Sequence, residues 1–130
     1  TTLPGLSKDT KRPLLPVKFI HKNKSTLPIM CLVDSGADYS YVTMEVAKML
    51  EIDLSNARPQ KSFGINGSPF LCYPSKITIE LGGHRLDIPV QFSNQLNKAF
   101  LCILGQEDFF TKTRIVFERY KWNIDIRILE

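Results

Sequence analysis

The stretch Ile29-Met30-Cys31-Leu32-Val33-Asp34-Ser35-Gly36-Ala37-Asp38 decides the fold, because it joins an apolar run to a tight polar turn. The run Ile29–Val33 predicts a strand that is buried on both faces. Asp34 stands where this strand ends, so we expect its carboxylate on a loop that a buried strand holds stiff. The Asp-Ser-Gly sequence occurs once in the 130 residues.

One reaction that such a carboxylate could serve is hydrolysis of a peptide bond by water. That reaction needs a base to activate the water and an acid to protonate the amide. Two carboxylates about 3 Å apart supply both, because like charges that close share one proton. Since each chain carries one copy of the motif, the sequence predicts a homodimer with both Asp34 side chains on its two-fold axis.

The neighbours of Asp34 suit the same chemistry. Gly36 allows the backbone to run close beneath the carboxylates, and the Ser35 hydroxyl can tie the two turns together across the axis. Ala37 leaves room for a substrate backbone, and Asp38 can accept hydrogen bonds from the amides of a bound peptide. The simpler interpretation is an ordinary surface turn, since Asp, Ser and Gly dominate turns for unrelated reasons.

Two later segments favour the chemical interpretation. Residues 63–70 carry Asn66-Gly67 at their centre, a strong signal for a β-hairpin. Residues 100–104 form a second apolar run that ends in Gly105, and a short helix is predicted at residues 107–110. An apolar strand before the Asp, a glycine-tipped hairpin and an apolar run ending in Gly agree with one another.

The rest of the chain predicts a mostly β domain with one or two short helices. Residues 17–20 form a candidate first strand, and residues 43–50 a helix with Thr43 as its N-cap. Alternating residues on both sides of Gly82-Gly83 predict a hairpin, and residues 114–128 predict another. We expect an extended N-terminal lead-in at residues 1–16 and one domain at residues 17–130.

Composition narrows the function further. The net charge is +4, and six basic residues against Asp9 give +5 to residues 1–24 alone. No apolar run approaches the roughly 20 residues that span a bilayer, so no membrane association is expected. Cys31, Cys72 and Cys102 lack the spacing of a zinc site, so no metal is expected. Each has apolar neighbours, which favours buried thiols and a cytoplasmic location.

On three segments the chain resembles the retropepsin-like aspartic proteases, the single-domain, homodimeric class that includes retroviral proteases. Residues 32–38 match the catalytic loop of that family, and residues 63–70 resemble its flap hairpin. Residues 103–110 resemble the hydrophobic-hydrophobic-Gly motif and the short helix that follows it. The resemblance covers about residues 17–128.

The resemblance implies a closed β-barrel, a symmetric homodimer and an aspartic endopeptidase that acts on peptide or protein substrates without a cofactor. It implies catalysis by Asp34 and support of the catalytic loop by Ser35 and Gly36. The implied substrate-binding residues are Ala37, Asp38, Gly64, Ile65, Asn66 and Gly67. The implied residues packed beneath the loop are Ile103, Leu104 and Gly105.

The chain departs from the retroviral members in two places. Retroviral members often have an Arg after the Gly of the third motif, where it pairs with the acid after Ala; this chain has Gln106. Arg58 and Arg114 are candidate substitutes. The helix predicted at residues 43–50 is longer than the corresponding segment of retroviral proteases. In this respect the chain resembles the cellular, bacterial and retrotransposon branches of the family. Residues 122–128, and less strongly 17–20, are candidates for the dimer clasp or for ordinary sheet edges.

Two other functions compete with proteolysis. One is a catalytically weak retropepsin-like module for dimerisation or peptide binding, which Gln106 favours and the intact Asp34-Ser35-Gly36 opposes. The other is nucleic-acid binding through basic residues 8–24. Phe19 is the one aromatic residue among these basic positions, too few for a series of stacked bases, so nucleic acid is not the expected partner.

Overall fold

The computed structural model describes residues 2–3, 14–34, 36–63, 69–94, 102–105, 109, 113–118 and 123–129. Their strands are β1 (Thr2–Leu3), β2 (Leu14–His21), β3 (Lys24–Ser25), β4 (Ile29–Val33), β5 (Tyr41–Thr43), β6 (Gln60–Phe63), β7 (Pro69–Leu81), β8 (His84–Ser93), β9 (Cys102–Leu104), β10 (Thr113–Glu118) and β11 (Asn123–Ile128). Helix α1 (Met44–Met49) follows β5 directly. The fold is therefore mostly β with one short helix in the described part of the chain.

Six strands close into a barrel. Around the barrel their order is β2, β4, β9, β5, β8 and β7, and β7 pairs back onto β2. The closing register aligns Phe19 of β2 with Ile79 of β7. This arrangement confirms the closed barrel that the resemblance implied.

The barrel interior is filled by apolar side chains from alternate positions of its strands. Strand β2 buries Leu15, Val17 and Phe19, while Pro16 between them is exposed. Strands β7 and β8 contribute Ile77, Ile79, Leu81, Ile88, Val90 and Phe92 in the same alternation. Because side chains of a strand point alternately to opposite faces, this pattern gives a single core inside the barrel.

Several strands match the sequence predictions. Strand β4 has the predicted bounds. Strands β7 and β8 turn at Gly82 and Gly83, whose φ angles of 57° and 79° give the two positive values that a tight hairpin turn needs. The three cysteines are buried thiols, as predicted. The helix predicted at residues 107–110 falls mainly on residues outside those described.

The predicted first strand is longer than residues 17–20. Strand β2 begins at Leu14, and its register with β4 runs from Leu14↔Leu32 to Val17↔Ile29. On its other side, Lys18 to Ile20 pair with β7. Residues 17–20 are therefore an interior part of the barrel and not a terminal clasp. The division of the chain at residue 16 stays a prediction.

The terminal strands form a second, three-stranded sheet. Strand β11 lies in the middle and pairs antiparallel with β10 and with β1. The pair Glu118↔Asn123 marks the end of the predicted hairpin between β10 and β11. Within one chain, both edges of β11 are thus occupied along part of its length.

Helix α1 begins as predicted but without the predicted cap. Thr43 occupies the N-cap position with extended backbone angles, yet its side chain forms no capping hydrogen bond. By contrast, buried Thr26 carries a real hydrogen bond, since its hydroxyl accepts from the Phe19 amide at 3.1 Å. The two threonines therefore differ in what their hydroxyl groups contribute.

We expect Thr26→Ala to lower the free energy of unfolding by about 1–3 kcal/mol, because it leaves the buried Phe19 amide without its acceptor. Thr43→Ala should cost under about 0.5 kcal/mol, since no side-chain bond is lost. Urea denaturation followed by circular dichroism measures both. A Thr43→Ala loss equal to that of Thr26→Ala would contradict the assignment of the two hydroxyls.

Candidate active site

The candidate site is built on the Asp34 loop, residues 34–40, which joins β4 to β5. In the barrel, β9 lies between these two strands, pairing parallel with β4 and antiparallel with β5. The loop therefore crosses the end of β9, where Gly105 follows Leu104. The sequence signal for this arrangement is one apolar run that ends in Asp34 and another that ends in Gly105.

Asp34 is fixed through its own backbone. Its amide donates to the Leu104 carbonyl at 3.0 Å, which extends the β4–β9 pairing by one residue. Its carbonyl accepts from the Ala37 amide at 3.2 Å and so closes a tight turn. The carboxylate also takes part, since Oδ1 accepts from the Gly36 amide at 2.9 Å. The half-buried side chain of Asp34 therefore sits on a hydrogen-bonded turn.

Two glycines lie at close contacts of the loop, and glycine is required at Gly105. A Cβ atom on Gly105 would lie 2.3 Å from the Tyr39 carbonyl oxygen and 2.9 Å from that of Ala37. A Cβ atom on Gly36 would lie 3.2 Å from Oδ1 of Asp34. The first distance is impossible without moving backbone, and the second would press on the carboxylate itself. Gly105 thus sets how closely the Asp34 loop packs on β9.

Ser40 is the site residue whose role the sequence did not predict. Ser40 is fully buried, and its Oγ accepts a hydrogen bond from the Gly105 amide at 3.0 Å. Its carbonyl accepts from the Gln91 amide at 2.9 Å. The only sequence signal for this role is a small hydroxyl residue just before the strand that contains Val42. That signal does not identify the partner, Gly105, which is 65 residues away.

The other predicted residues are placed as follows. Ala37 is half-buried and Asp38 exposed, while Ile103 is half-buried and Leu104 fully buried. Neither Arg58 nor Arg114, both in the described part of the chain, forms an ion pair with Asp38. Outside the described residues lie Ser35, Gly64, Ile65, Asn66, Gly67 and Gln106.

The base of the predicted flap is nevertheless visible. Strands β6 and β7 pair antiparallel up to Phe63↔Pro69, on the two sides of residues 64–68. Phe70 contacts Tyr41 edge to face, with ring centroids 6.1 Å apart and an interplanar angle of 62°. Since Tyr41 begins β5 directly after the Asp34 loop, this aromatic contact joins the hairpin base to the candidate site.

Comparison with known proteins decides the family. The model of the aspartyl protease family matches residues 16–107, most of the chain. The chain belongs to the aspartyl protease family. Its match includes β4, the whole Asp34 loop and β9 with Gly105. No curated protein sequence gives a significant match.

Solved structures agree with this family membership. The chain is similar to a retropepsin-like aspartic protease from Rickettsia conorii, with a TM-score of 0.68 and 16% identity over 95% of this chain and 86% of that one. It is also similar to the EIAV protease, solved with the inhibitor HBY-793, with a TM-score of 0.56 and 21% identity over 78% of this chain and 88% of that one. At these identities the likeness shows the fold, which is retropepsin-like.

In the described ranges, His, Cys, Asp and Glu side chains form no group of three or more that could hold a metal ion. No helix among the described residues is long and apolar enough to cross a membrane.

We expect Gly105→Ala to lower the free energy of unfolding by about 3 kcal/mol or more, because the new methyl group collides with rigid backbone. The matched control is Gly83→Ala, where nothing lies within 4 Å of the added Cβ but φ is +79°. The control should cost about 1–2 kcal/mol from backbone strain alone. Chemical denaturation compares them, and an equal cost would disprove the steric role of Gly105.

Proposed function

We propose that the chain is an aspartic endopeptidase that is active as a homodimer. The single observation that carries this proposal is the placement of Asp34 on a hydrogen-bonded turn that β9 and Gly105 support. Membership of the aspartyl protease family and the retropepsin-like fold support proteolysis in general. The finer proposal concerns which residues act and how many chains are needed.

The need for a second chain follows from the count of carboxylates. The Asp-Ser-Gly motif occurs once per chain. Asp38, the other acid of the Asp34 loop, is exposed and lies beyond the turn that the Asp34 carbonyl closes. A pair of close carboxylates therefore requires Asp34 from two copies. In such a dimer, the edges that the terminal sheet offers to a second copy are those of β1 and β10.

In the proposed reaction the two Asp34 carboxyl groups hold one proton between them. The ionised carboxylate takes a proton from water while the water oxygen attacks the peptide carbonyl carbon. At the same time the protonated carboxyl group gives its proton to the carbonyl oxygen. The resulting diol then loses one hydroxyl proton to a carboxylate while the amide nitrogen gains one from the other. The C–N bond breaks, and the pair again holds one proton.

Substrate binding would use the hairpin of β6 and β7. We assign residues 64–67 to a flap that covers an extended peptide, with the peptide added as a strand between flap and Asp34 loop. Ala37 and Asp38 would face the peptide backbone. The aromatic contact between Phe70 and Tyr41 supports this arrangement, because it anchors the base of the hairpin beside the loop.

We also assign the protein to the cytoplasm. Cys31, Cys72 and Cys102 are buried thiols. Thiols that remain outside disulfides are typical of reducing compartments.

Asp34→Asn should reduce peptide cleavage at least about 100-fold, because it removes the group that takes and gives the proton. Asp53→Asn is the matched control, since Asp53 is an exposed loop carboxylate that accepts from the Ser55 amide at 2.9 Å. Hydrogen bonds from the Ser55 side chain and backbone lower the pKa of Asp53, so Asp53→Asn removes an ionised carboxylate that lies outside the Asp34 loop. Mass spectrometry of a complex peptide mixture from about pH 4 to 7.5 measures cleavage.

Cleavage by wild type and the Asp53 variant, but not by the Asp34 variant, is the expected result. Equal cleavage by all three would exclude Asp34 as the catalytic group. A folded dimer that cleaves nothing would instead favour the module for dimerisation or peptide binding.

The dimer is tested by mixing subunits. If wild type and Asp34→Asn are unfolded together in equal amounts and refolded, about a quarter of random dimers carry two Asp34 residues. Activity should therefore fall to about a quarter of that of the same total amount of wild type, since mixed dimers lack one acid. A fall to only one half would show that each chain works alone, and sedimentation velocity confirms the subunit count.

A further inference from the structure

One peptide group contacts both ends of the Asp34 loop. The link between Leu104 and Gly105 has its carbonyl on Leu104 and its N–H on Gly105. The carbonyl accepts from the Asp34 amide at 3.0 Å, and the N–H donates to Oγ of Ser40 at 3.0 Å. Because a trans peptide is planar and points these two groups in opposite directions, it bridges residue 34 and residue 40 as a rigid unit.

We propose that Ser40 is a positioning residue for the reaction of Asp34. Its hydroxyl oxygen holds the 104–105 peptide in the orientation in which the Leu104 carbonyl receives the Asp34 amide. This role rests on the proposed function, in which Asp34 transfers protons. Ser40 itself, the last residue of the loop, is fully buried and therefore has no proposed contact with substrate.

Ser40 is well placed to hold the peptide still. The Gln91 amide of β8 donates to its carbonyl at 2.9 Å, so its backbone is tied to the neighbouring barrel strand. Since Ser40 has a short side chain with one rotatable bond to Oγ, its hydroxyl position follows closely from that backbone. Beside the pairing of β9 with β4 and β5, the Ser40 oxygen is thus one contact through which the barrel wall holds the 104–105 peptide.

The close packing of Gly105 makes the orientation of this peptide matter for Asp34. The loop backbone at Ala37 and Tyr39 lies so near Gly105 that not even a methyl group fits between them. A rotation of the 104–105 peptide would therefore have two effects at once. It would move the loop backbone, and it would weaken the hydrogen bond from the Asp34 amide to the Leu104 carbonyl. Without Oγ the Gly105 amide would be a buried donor that has lost its acceptor, which drives such a rotation.

The expected effect falls on turnover rather than on binding. A displacement of a catalytic group by 1 Å can reduce the rate about 100-fold, so we expect Ser40→Ala to lower kcat by about 10-fold to 100-fold. KM should change less than kcat, because Ala37 and Asp38, which would face the peptide, keep their side chains. Ser40→Thr keeps the hydroxyl and should restore most of kcat.

The test compares Ser40→Ala, Ser40→Thr and the matched control Ser93→Ala. Ser93, on β8, is also a fully buried serine of the barrel. It is a control because the Gly105 amide donates to Ser40 and not to Ser93. Ser40→Cys replaces the hydroxyl by a larger thiol that is a weaker acceptor, and it takes the place of the Ala variant should that variant fail to fold. The full chain is used, and folding of each variant is checked by circular dichroism.

Hydrogen–deuterium exchange at single amides, followed by NMR, is the measurement that does not depend on activity. Loss of the Ser40 oxygen should speed exchange of the Gly105 and Asp34 amides at least about tenfold relative to the Ile79 amide in the core. Ser40→Thr and Ser93→Ala should leave this ratio near that of wild type. An unchanged ratio in Ser40→Ala would overturn the proposal.

Kinetics on a cleaved peptide then separate the two proposals. A selective rise in exchange with kcat unchanged in an active protein would also overturn the positioning role. If wild type cleaves no peptide, the proposed function fails, while the exchange ratio still decides whether Ser40 fixes the Asp34 backbone. Equal falls in kcat for Ser40→Ala and Ser93→Ala would show that Ser40 acts only by packing in the core. That result would refute its role in positioning Asp34.

Discussion

The parallel pairing of β4 with β9 is the constraint on which the rest of the structure depends. It places the ends of two apolar strands side by side, with Val33 opposite Leu104, so that Asp34 and Gly105 follow at the same edge. Because β5 pairs with the other side of β9, the chain must cross the end of β9 between β4 and β5. Only a residue without a side chain fits beneath that crossing, which explains Gly105.

The closed barrel turns this local packing into a fixed geometry. Strand β9 has three residues, too few to hold a position by itself. It is held because β4 and β5 flank it, and these in turn pair with β2 and β8, which β7 joins. Any shift of β9 would have to disturb the core around Phe19 and Phe92. The stiffness of the Asp34 loop is therefore a property of the whole ring of strands.

Local signals were sufficient for much of the fold and for part of the site. The apolar run Ile29–Val33, the Gly82-Gly83 turn and helix α1 each follow from a few neighbouring residues, and all three were predicted. Asp34 and Gly105 stand out because each ends an apolar run. Family resemblance then supplied what local signals do not contain, namely barrel closure.

What the sequence did not reveal depends on contacts between distant residues. Strand β5 has three residues without a readable period, and it exists because β8 and β9 lie on its two sides. Ser40 becomes an acceptor for Gly105 only through that pairing, across 65 residues. The Asp34 carboxylate already uses Oδ1 within its own turn, and the Asp-Ser-Gly sequence occurs once per chain. Because the proposed reaction needs two such acids, one well-formed loop is half of the proposed site.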